Sequence, residues 1–501
     1  MLEMKFRGIK YSLASWHGLA AAIGDAQAKG ETMKRPVLAA LVLALAVVHA
    51  PLRARDAAAS ALPVPPSGVL GVGDAQLAPD FWIGLQAQPD RQILSRAQID
   101  AQNAKLFQLD PTLHDLAALP ATLPRAQVAA WIEHLSKRPA HALYDEHGQP
   151  VPAATLDNIE KDMALDAIPA QTTLRYGLVV ARAALRTFPT TLRVFSSDDD
   201  HDIDRFQESA EFPGTPVAIV HASRDGQWLF VVSPRYAAWM QRQYVAQGAK
   251  DTVLAYAAKT PYRVVTGASV RTVFTPEQPQ VSQLQLDMGT RVPLLTTLPP
   301  DQPVNGQTPY AAYTLQLPIR KDDGSLELVP ALLQKNTDTA ADYLPLTPRN
   351  LITQAFKFLG ERYGWGHSYD GRDCSGFVSD VYRSLGVQMP RNTGDQAKSL
   401  ALEHRLFTAA DSHAARLQAA MQLQLGDLVY IPGHVMMVLG QWRGQPWVIH
   451  DVLGMSYVRP DGSVAHVTLN SVSVTPLLPM LYGKDGSTFI DHMTSIVRIR
   501  R

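Results

Sequence analysis

Cys374 is the only cysteine in a chain of 501 residues, and it stands in the run Asp373-Cys374-Ser375-Gly376-Phe377. One thiol can form no disulfide within the chain, so a framework role is excluded. The apolar positions that follow, Phe377, Val378, Val381, Tyr382 and Leu385, fall at a helical period, and Gly386 is a suitable stop. Asp373 is a good N-cap, which puts Cys374 in the first turn. The unpaired amides and positive dipole end of such a turn favour a thiolate, the form in which a cysteine attacks. The bland reading is a buried structural thiol, the usual role of a lone cysteine.

A thiolate nucleophile needs a base, and the base needs an orienting group. About sixty residues on, Gly426 to Ile431 reads as a strand, followed by Pro432-Gly433 and a second strand, His434 to Leu439. A turn around Gln441 to Gln445 leads to a third, Trp447 to His450. A hairpin folded about Trp442 or Arg443 makes His434 and His450 direct or diagonal cross-strand neighbours. Both registers put the two imidazoles on one face, and a bulge is expected to spoil the arrangement.

Gly364-Trp365-Gly366, followed by Gly371-Arg372-Asp373-Cys374-Ser375-Gly376-Phe377-Val378, resembles the nucleophile motif of the NlpC-type cell-wall peptidases, a papain-like family. Met389-Pro390-Arg391-Asn392-Thr393, Leu425-Gly426-Asp427-Leu428, Gly433-His434-Val435 and Ile449-His450 follow in the family's order. The resemblance covers residues 347–501. It implies an α+β papain-like domain, with the cysteine on a helix and both histidines on an antiparallel sheet. It implies Cys374 as nucleophile, His434 as base and His450 as orienting group, with no metal and no cofactor. Asp373, Ser375, Trp365, Tyr363, Arg391, Asn392 and Thr393 become substrate-side residues by the same resemblance. The implied reaction is hydrolysis of murein stem peptides between D-γ-glutamate and a diamino acid.

Two departures stand out. The family usually has a second glycine where this chain has His367, in a loop that looks one residue longer here, and His367 reads as a solvated loop residue. The family often has an acid where Asn392 stands, which removes one candidate partner for a substrate ammonium.

The charge balance is even, with 46 Lys+Arg against 46 Asp+Glu, so neither a nucleic-acid partner nor a polybasic membrane patch is indicated. A length of 501 residues with 46% hydrophobic content suits three or four globular domains. Met33-Lys34-Arg35-Pro36, the apolar run Val37 to Val48, and His49-Ala50 have the form of a secretory signal cleaved near Ala50. Residues 1–32 then read as an upstream extension. With no cysteine after the apolar run, no lipoprotein anchor is expected, and the mature protein is expected in the periplasm as a monomer.

Residues 51–74, rich in Ala, Pro and Gly, read as a linker. Residues 75–165 read as a helical segment, with Ser95 capping a run through Ile99, Leu106 and Phe107 and with Leu116 to Leu135 rich in Ala and Leu. From about 170 short strands prevail: Thr215 to Val220 and Gln227 to Val232 flank the turn Arg224-Asp225-Gly226, while Tyr262 to Val265 and Thr290 to Leu295 repeat the style. Two small β-barrels are expected, at 170–248 and 249–345. They resemble the bacterial SH3-like modules that precede this catalytic domain in multi-domain relatives. There the first module closes one end of the groove and admits only peptides with a free N-terminal L-Ala. Carried over, Glu208 and Tyr236 become the candidates for holding that ammonium.

Asp198, Asp200, Asp202 and Asp204 alternate and Glu211 follows, but Arg205 stands where a calcium loop needs glycine. These residues read as a solvated acidic loop. One Cys and no His-Glu-x-x-His leave too few spaced ligands for zinc. The function classes that remain are a cysteine peptidase on murein peptides, a non-catalytic wall-binding protein, and an acyltransferase using the same three residues.

Overall fold

In a computed structural model the described residues are 4–6, 9–11, 62–483 and 485–500. The chain divides into two compact units, Met1–Leu62 and Pro63–Arg501. Within the first, Met4–Phe6 pairs antiparallel with Ile9–Tyr11. The expected signal at 33–50 and residues 51–61 of the expected linker lie outside the described residues.

From residue 63 onward the expected linker is packed. Leu70 and Val72 are buried, and the Tyr457 hydroxyl donates to the Gly68 carbonyl at 2.9 Å. Gly68 and Gly71 adopt φ of 77° and 74°, so the Pro/Gly content here makes fixed turns rather than a free tether. The helical segment follows with Pro79–Gly84, Arg96–Leu109, Arg125–Leu135 and Ala153–Asp162. Ser95 caps the second of these in a full capping box with Gln98. In the Ala- and Leu-rich stretch from Leu116 the helix starts only at Arg125. Pro120 and Pro124 interrupt it, and Thr122–Pro124 pairs as a strand with Gln171–Thr173.

The first β unit is a seven-stranded antiparallel sheet. Its spatial order is Val245–Gly248, Arg175–Val179, Pro216–Ala222, Trp228–Val232, Ala237–Gln241, Ala183–Arg186 and Gln207–Glu211. Alternate residues feed two cores. Val217, Ile219, Leu229 and Val231 pack in one, and Ala218, Val220, Phe230 and Val232 in the other, together with Val128 and Ile132 of the N-terminal helices. Burial on both faces explains why these strands are apolar runs rather than alternating ones. The helix Lys250–Tyr256 adds Val253 and Tyr256 to the second of these cores. The second β unit holds three small sheets around a core that includes Val265, Leu286, Leu315, Leu317 and Val329, with a smaller cluster of Val304, Ala312 and Leu332.

The acidic run between 198 and 211 is solvated at its start, where Asp198 and Asp199 are exposed, but not along its whole length. Asp204 is buried and accepts from Arg186 Nη1 at 2.5 Å, and Glu211 is buried and accepts from the Ser233 hydroxyl at 2.6 Å. Asp202 takes Arg362 and Asn470. These carboxylates serve as internal ion-pair and hydrogen-bond partners, which the alternation in sequence does not reveal.

The C-terminal part is α+β. Its six-stranded antiparallel sheet runs Glu403–Leu406, Ser495–Arg498, Leu428–Ile431, His434–Trp442, Gln445–Val458 and Val464–Pro476. The helix Cys374–Ser384 packs on the strands His434–Trp442 and Gln445–Val458 and on the helix Pro348–Phe356.

Candidate active site

The nucleophile helix begins where the sequence places it. Asp373 is its N-cap, with Oδ1 accepting from the Gly376 amide at 2.8 Å, and Gly386 ends it at φ 82°. Every residue from Cys374 to Ser384 is buried, because the helix is covered on all sides. The Cys374 sulfur lies 3.9 Å from the carbonyl oxygen of Gly433, the residue before His434, so the thiol sits against the start of the histidine strand. Burial pushes this thiol up to about 12, and the Asp373 carboxylate adds to the shift. In the resting site Cys374 is therefore a neutral thiol, where the helix-start argument alone favours a thiolate.

The histidines meet by an unexpected route. The hairpin turns through Arg443 and Gly444, both at positive φ (50° and 75°), so Trp442 pairs with Gln445. Carried on without interruption, that register would place Met437 opposite His450 and put the two imidazoles on opposite faces. The ladder instead slips between Val438 and Gly440, leaving Leu439 as an extra residue. Beyond the slip Met437 pairs with Ile449, which returns His434 and His450 to one face as diagonal neighbours. The bulge makes the pair where it was expected to spoil it.

His434 Nε2 and His450 Nδ1 are 2.8 Å apart. His450 Nε2 is 2.9 Å from Thr475 Oγ1, and that hydroxyl donates to the Met480 sulfur at 3.1 Å. With its own proton committed to sulfur, Thr475 accepts from His450 Nε2–H. His450 Nδ1 then carries a lone pair and accepts from His434 Nε2–H. This assignment leaves His434 Nδ1 as a free lone pair for the base. Burial lowers His434 to about 4 and holds His450 well below the usual histidine range, with the neighbouring His434 adding to the effect. Both rings are neutral at physiological pH.

The loop ahead of the helix is held tightly. Asp373 Oδ2 accepts from the Gly366 amide at 3.0 Å and from Arg391 Nη2 at 2.8 Å, while Oδ1 also takes the Ser375 hydroxyl. Gly366, at φ 57°, packs so closely on the first β unit that a Cβ would meet Gln207 Cγ at 2.8 Å. His367 is buried rather than solvated. Its Nδ1 lies 3.0 Å from Arg391 Nη2, and its ring occupies the space a Cβ on Gly376 would need. Burial and the surrounding arginines, Arg391 foremost, keep it well below the usual histidine range.

Residues 360–470 match the NlpC/P60 family model, and residues 193–241 match an SH3 domain model of the SH3b1 type. The C-terminal part of this chain is an NlpC/P60 domain behind an SH3-like domain. A gamma-D-glutamyl-L-lysine dipeptidyl-peptidase of Bacillus cereus (strain ATCC 10987 / NRS 248) is 29% identical over 239 residues, covering 44% of this chain and 59% of the relative. The protein of the same name from Bacillus subtilis (strain 168) is 37% identical over 106 residues, 21% of this chain and 31% of the relative. The chain thus spans less than two thirds of either curated relative. Among solved structures, an NlpC/P60 endopeptidase from Photobacterium damselae subsp. piscicida superposes with a TM-score of 0.65 at 16% identity, over 82% of this chain and 95% of that one. At that identity the likeness speaks for the fold.

Within the NlpC/P60 domain the substrate-side candidates separate into two groups. Asp373, Ser375 and Arg391 are buried, and they spend their hydrogen bonds largely on one another and on the preceding loop. Tyr363 is buried beside Cys374 and Asp373, and burial pushes its phenol up. Trp365, Asn392 and Thr393 keep exposed surface. Trp365 Nε1 donates to the Gln207 carbonyl at 3.0 Å, tying the NlpC/P60 domain to the SH3-like sheet. On that sheet Glu208 accepts from Tyr236 and Thr187 hydroxyls, each at 2.6 Å, and Tyr236 lies beside Arg391 and Asn392. Glu208 and Tyr236 therefore stand together next to the nucleophile loop.

Other site residues escape sequence reasoning. Thr475 and Met480 carry no local signal at all. Asp451 follows His450 and is fully buried. Burial, and next the Asp373 charge, push it up to about 9, so it stays neutral and adds no negative charge beside the thiol at physiological pH. Arg372 is visible in the nucleophile motif, yet its three carboxylate partners, Glu361, Asp380 and Asp287, come from separate segments.

Proposed function

We propose that this protein is a secreted cysteine peptidase that hydrolyses the D-γ-glutamyl–diamino acid bond of murein stem peptides bearing a free N-terminal L-Ala. The observation that carries the reading is the ordered chain from Met480 through Thr475 and His450 to His434, which leaves His434 Nδ1 as an acceptor at the start of the strand against which the Cys374 thiol sits, through the Gly433 carbonyl. A buried neutral thiol beside a buried neutral imidazole reacts by general-base attack. The Cys374 proton passes to His434 Nδ1 as the sulfur–carbon bond forms at the γ-carbonyl. The first-turn amides of the helix stabilise the oxyanion. Collapse expels the diamino acid amine, which takes the proton from His434, and water then hydrolyses the thioester with His434 again as base.

The names of the two Bacillus relatives support the bond assignment. The free-amine requirement is supported by Glu208, a carboxylate already oriented by two hydroxyls beside the nucleophile loop. A substrate ammonium leaving water needs such an acceptor, because an unpaired buried charge is costly. Secretion rests on the signal-like pattern at 33–50 and is read by N-terminal mass analysis of exported protein.

The test pairs L-Ala-γ-D-Glu-diamino acid tripeptide with its N-acetylated form and reads products by mass spectrometry. Cleavage of the free tripeptide at the γ-glutamyl bond, at least about 10-fold better than of the acetylated one, is expected, with Glu208→Gln shrinking that ratio. Equal cleavage of both would show an open groove, and no cleavage of either, or no loss in Cys374→Ala, would end the peptidase reading.

A further inference from the structure

The loop from Gly364 to Asp373 delivers the nucleophile in a conformation its own residues do not favour. Gly366, His367, Tyr369 and Asp370 all have positive φ, at 57°, 65°, 58° and 56°, and three of the four carry a Cβ. Such backbone persists only where its surroundings over-determine it. The surroundings here are not the NlpC/P60 domain alone.

Arg182, in the first β unit, sends Nη2 to the carbonyl oxygens of His367 and Gly371, at 2.9 and 2.6 Å. Its Nη1 donates to Asp287 of the second β unit. The same Asp287 oxygen accepts from Arg372 Nη2 at 2.9 Å, and Arg372 also donates to the Ala268 carbonyl of that unit at 2.8 Å. Arg372 immediately precedes the Asp373–Cys374 pair and reaches Asp380 inside the nucleophile helix, Nε to Oδ2 at 2.9 Å. Farther along, Gln207 Nε2 holds the Gly366 carbonyl at 2.7 Å, and Arg391 joins Ser209 Oγ at 2.6 Å to Asp373. Arg372 and Asp287 are almost wholly buried and Arg182 nearly so. A charge in such a place stays only where paired, so each partner fixes the other.

We infer that Arg182 and Asp287 are positioning residues for the nucleophile, through which both β units hold the strained loop that presents Cys374. Neither residue touches the sulfur. Their effect on chemistry runs through the loop carbonyls and through Arg372, and so through the start of the nucleophile helix. The second β unit, which contributes none of the candidate substrate contacts, is in this reading part of the catalytic apparatus. Its turnover consequence rests on the peptidase reading, whereas its consequence for Cys374 does not.

The test uses the full chain with Arg182→Gln, Arg182→Lys and Asp287→Asn. Two readouts are taken on folded protein: kcat and KM on the free tripeptide, and the rate of Cys374 alkylation by iodoacetamide, followed by mass spectrometry. Arg182→Gln is expected to lower kcat at least 10-fold, with KM within about 2-fold, and to change the alkylation rate by a similar factor. Arg182→Lys, which keeps a charge and donors, is expected to recover part of both. If Arg182→Gln does not fold, Asp287→Asn decides by the same readouts. Variants with an unchanged alkylation rate and unchanged kcat, whatever their melting temperature, would overturn the inference. Altered alkylation in a protein that cuts no tripeptide would leave it standing and overturn the peptidase reading instead.

Discussion

Thr475 shows how a residue remote from the sulfur decides what the base can do. Its hydroxyl proton goes to Met480 and its lone pair receives His450 Nε2–H, so the tautomers of both histidines follow from one hydroxyl. Thr475→Val removes the acceptor and leaves His450 Nε2–H unpaired in a buried place, at a cost of about 1–3 kcal/mol. The relief is the other tautomer, in which His450 Nδ1–H points at His434 and forces the His434 proton onto Nδ1, where it blocks the base. Thr475→Val should therefore lower kcat by roughly 10–100-fold with little change in KM, and Thr475→Ser should restore most of it. The wild-type acid limb of kcat/KM should fall below the ordinary histidine range. Burial lowers His434 to about 4, so its base form persists until the pH drops toward that value. An acid limb near 6.5, or a valine variant as fast as the serine one, would contradict the tautomer chain. None of this order was legible in the sequence, because Thr475 lies 25 residues from His450 and becomes its neighbour only through strand pairing.

The nucleophile helix was the most legible element, since cap, periodicity and stop are all local: Asp373, the Phe377-to-Leu385 stripe and Gly386. The histidine hairpin was legible in its strands but not in its register. A turn position one residue off and a missed bulge cancelled, so the right neighbours followed from two compensating errors. Leu439 is the physical reason, as an extra residue opposite none, followed by Gly440 at φ 139°. Gly440→Val, which disfavours the φ of 139° next to the slip and so favours an unbulged ladder, should move His434 and His450 onto opposite faces and cut turnover toward the level of Cys374→Ala. Leu439→Ala keeps the residue count and should retain turnover, losing only about 2–5 kcal/mol of stability from a fully buried side chain. Comparable turnover in Gly440→Val and Leu439→Ala would show that the bulge does not set the pairing.

At the scale of the molecule, segments that read as separate modules pack as one compact unit from Pro63 to Arg501. Sequence reading separates them because their joining residues are scattered single charges, such as Arg182, Asp287 and Arg372, with no pattern to link them. The N-terminal segment makes the same point with apolar groups. Trp82 is fully buried, with its ring centroid 5.8 Å from that of Trp447, and Phe81 meets Trp442 edge-on at 5.4 Å. Trp82 Nε1 donates to the Gln76 carbonyl at 2.9 Å, which fixes the ring from its own side. This cluster clamps the turn end of the hairpin that carries His434 and His450, some 350 residues away in sequence. Trp82→Ala should cost about 3–5 kcal/mol, the usual range for a large buried aromatic ring. Because the loss falls on the hairpin, catalysis should fail on heating before the rest of the chain unfolds. A heat-inactivation midpoint that drops below the calorimetric midpoint in Trp82→Ala, but coincides with it in the wild type, is the expected result. Midpoints that stay together in the variant would show that the N-terminal segment stabilises the molecule without any special hold on the histidines.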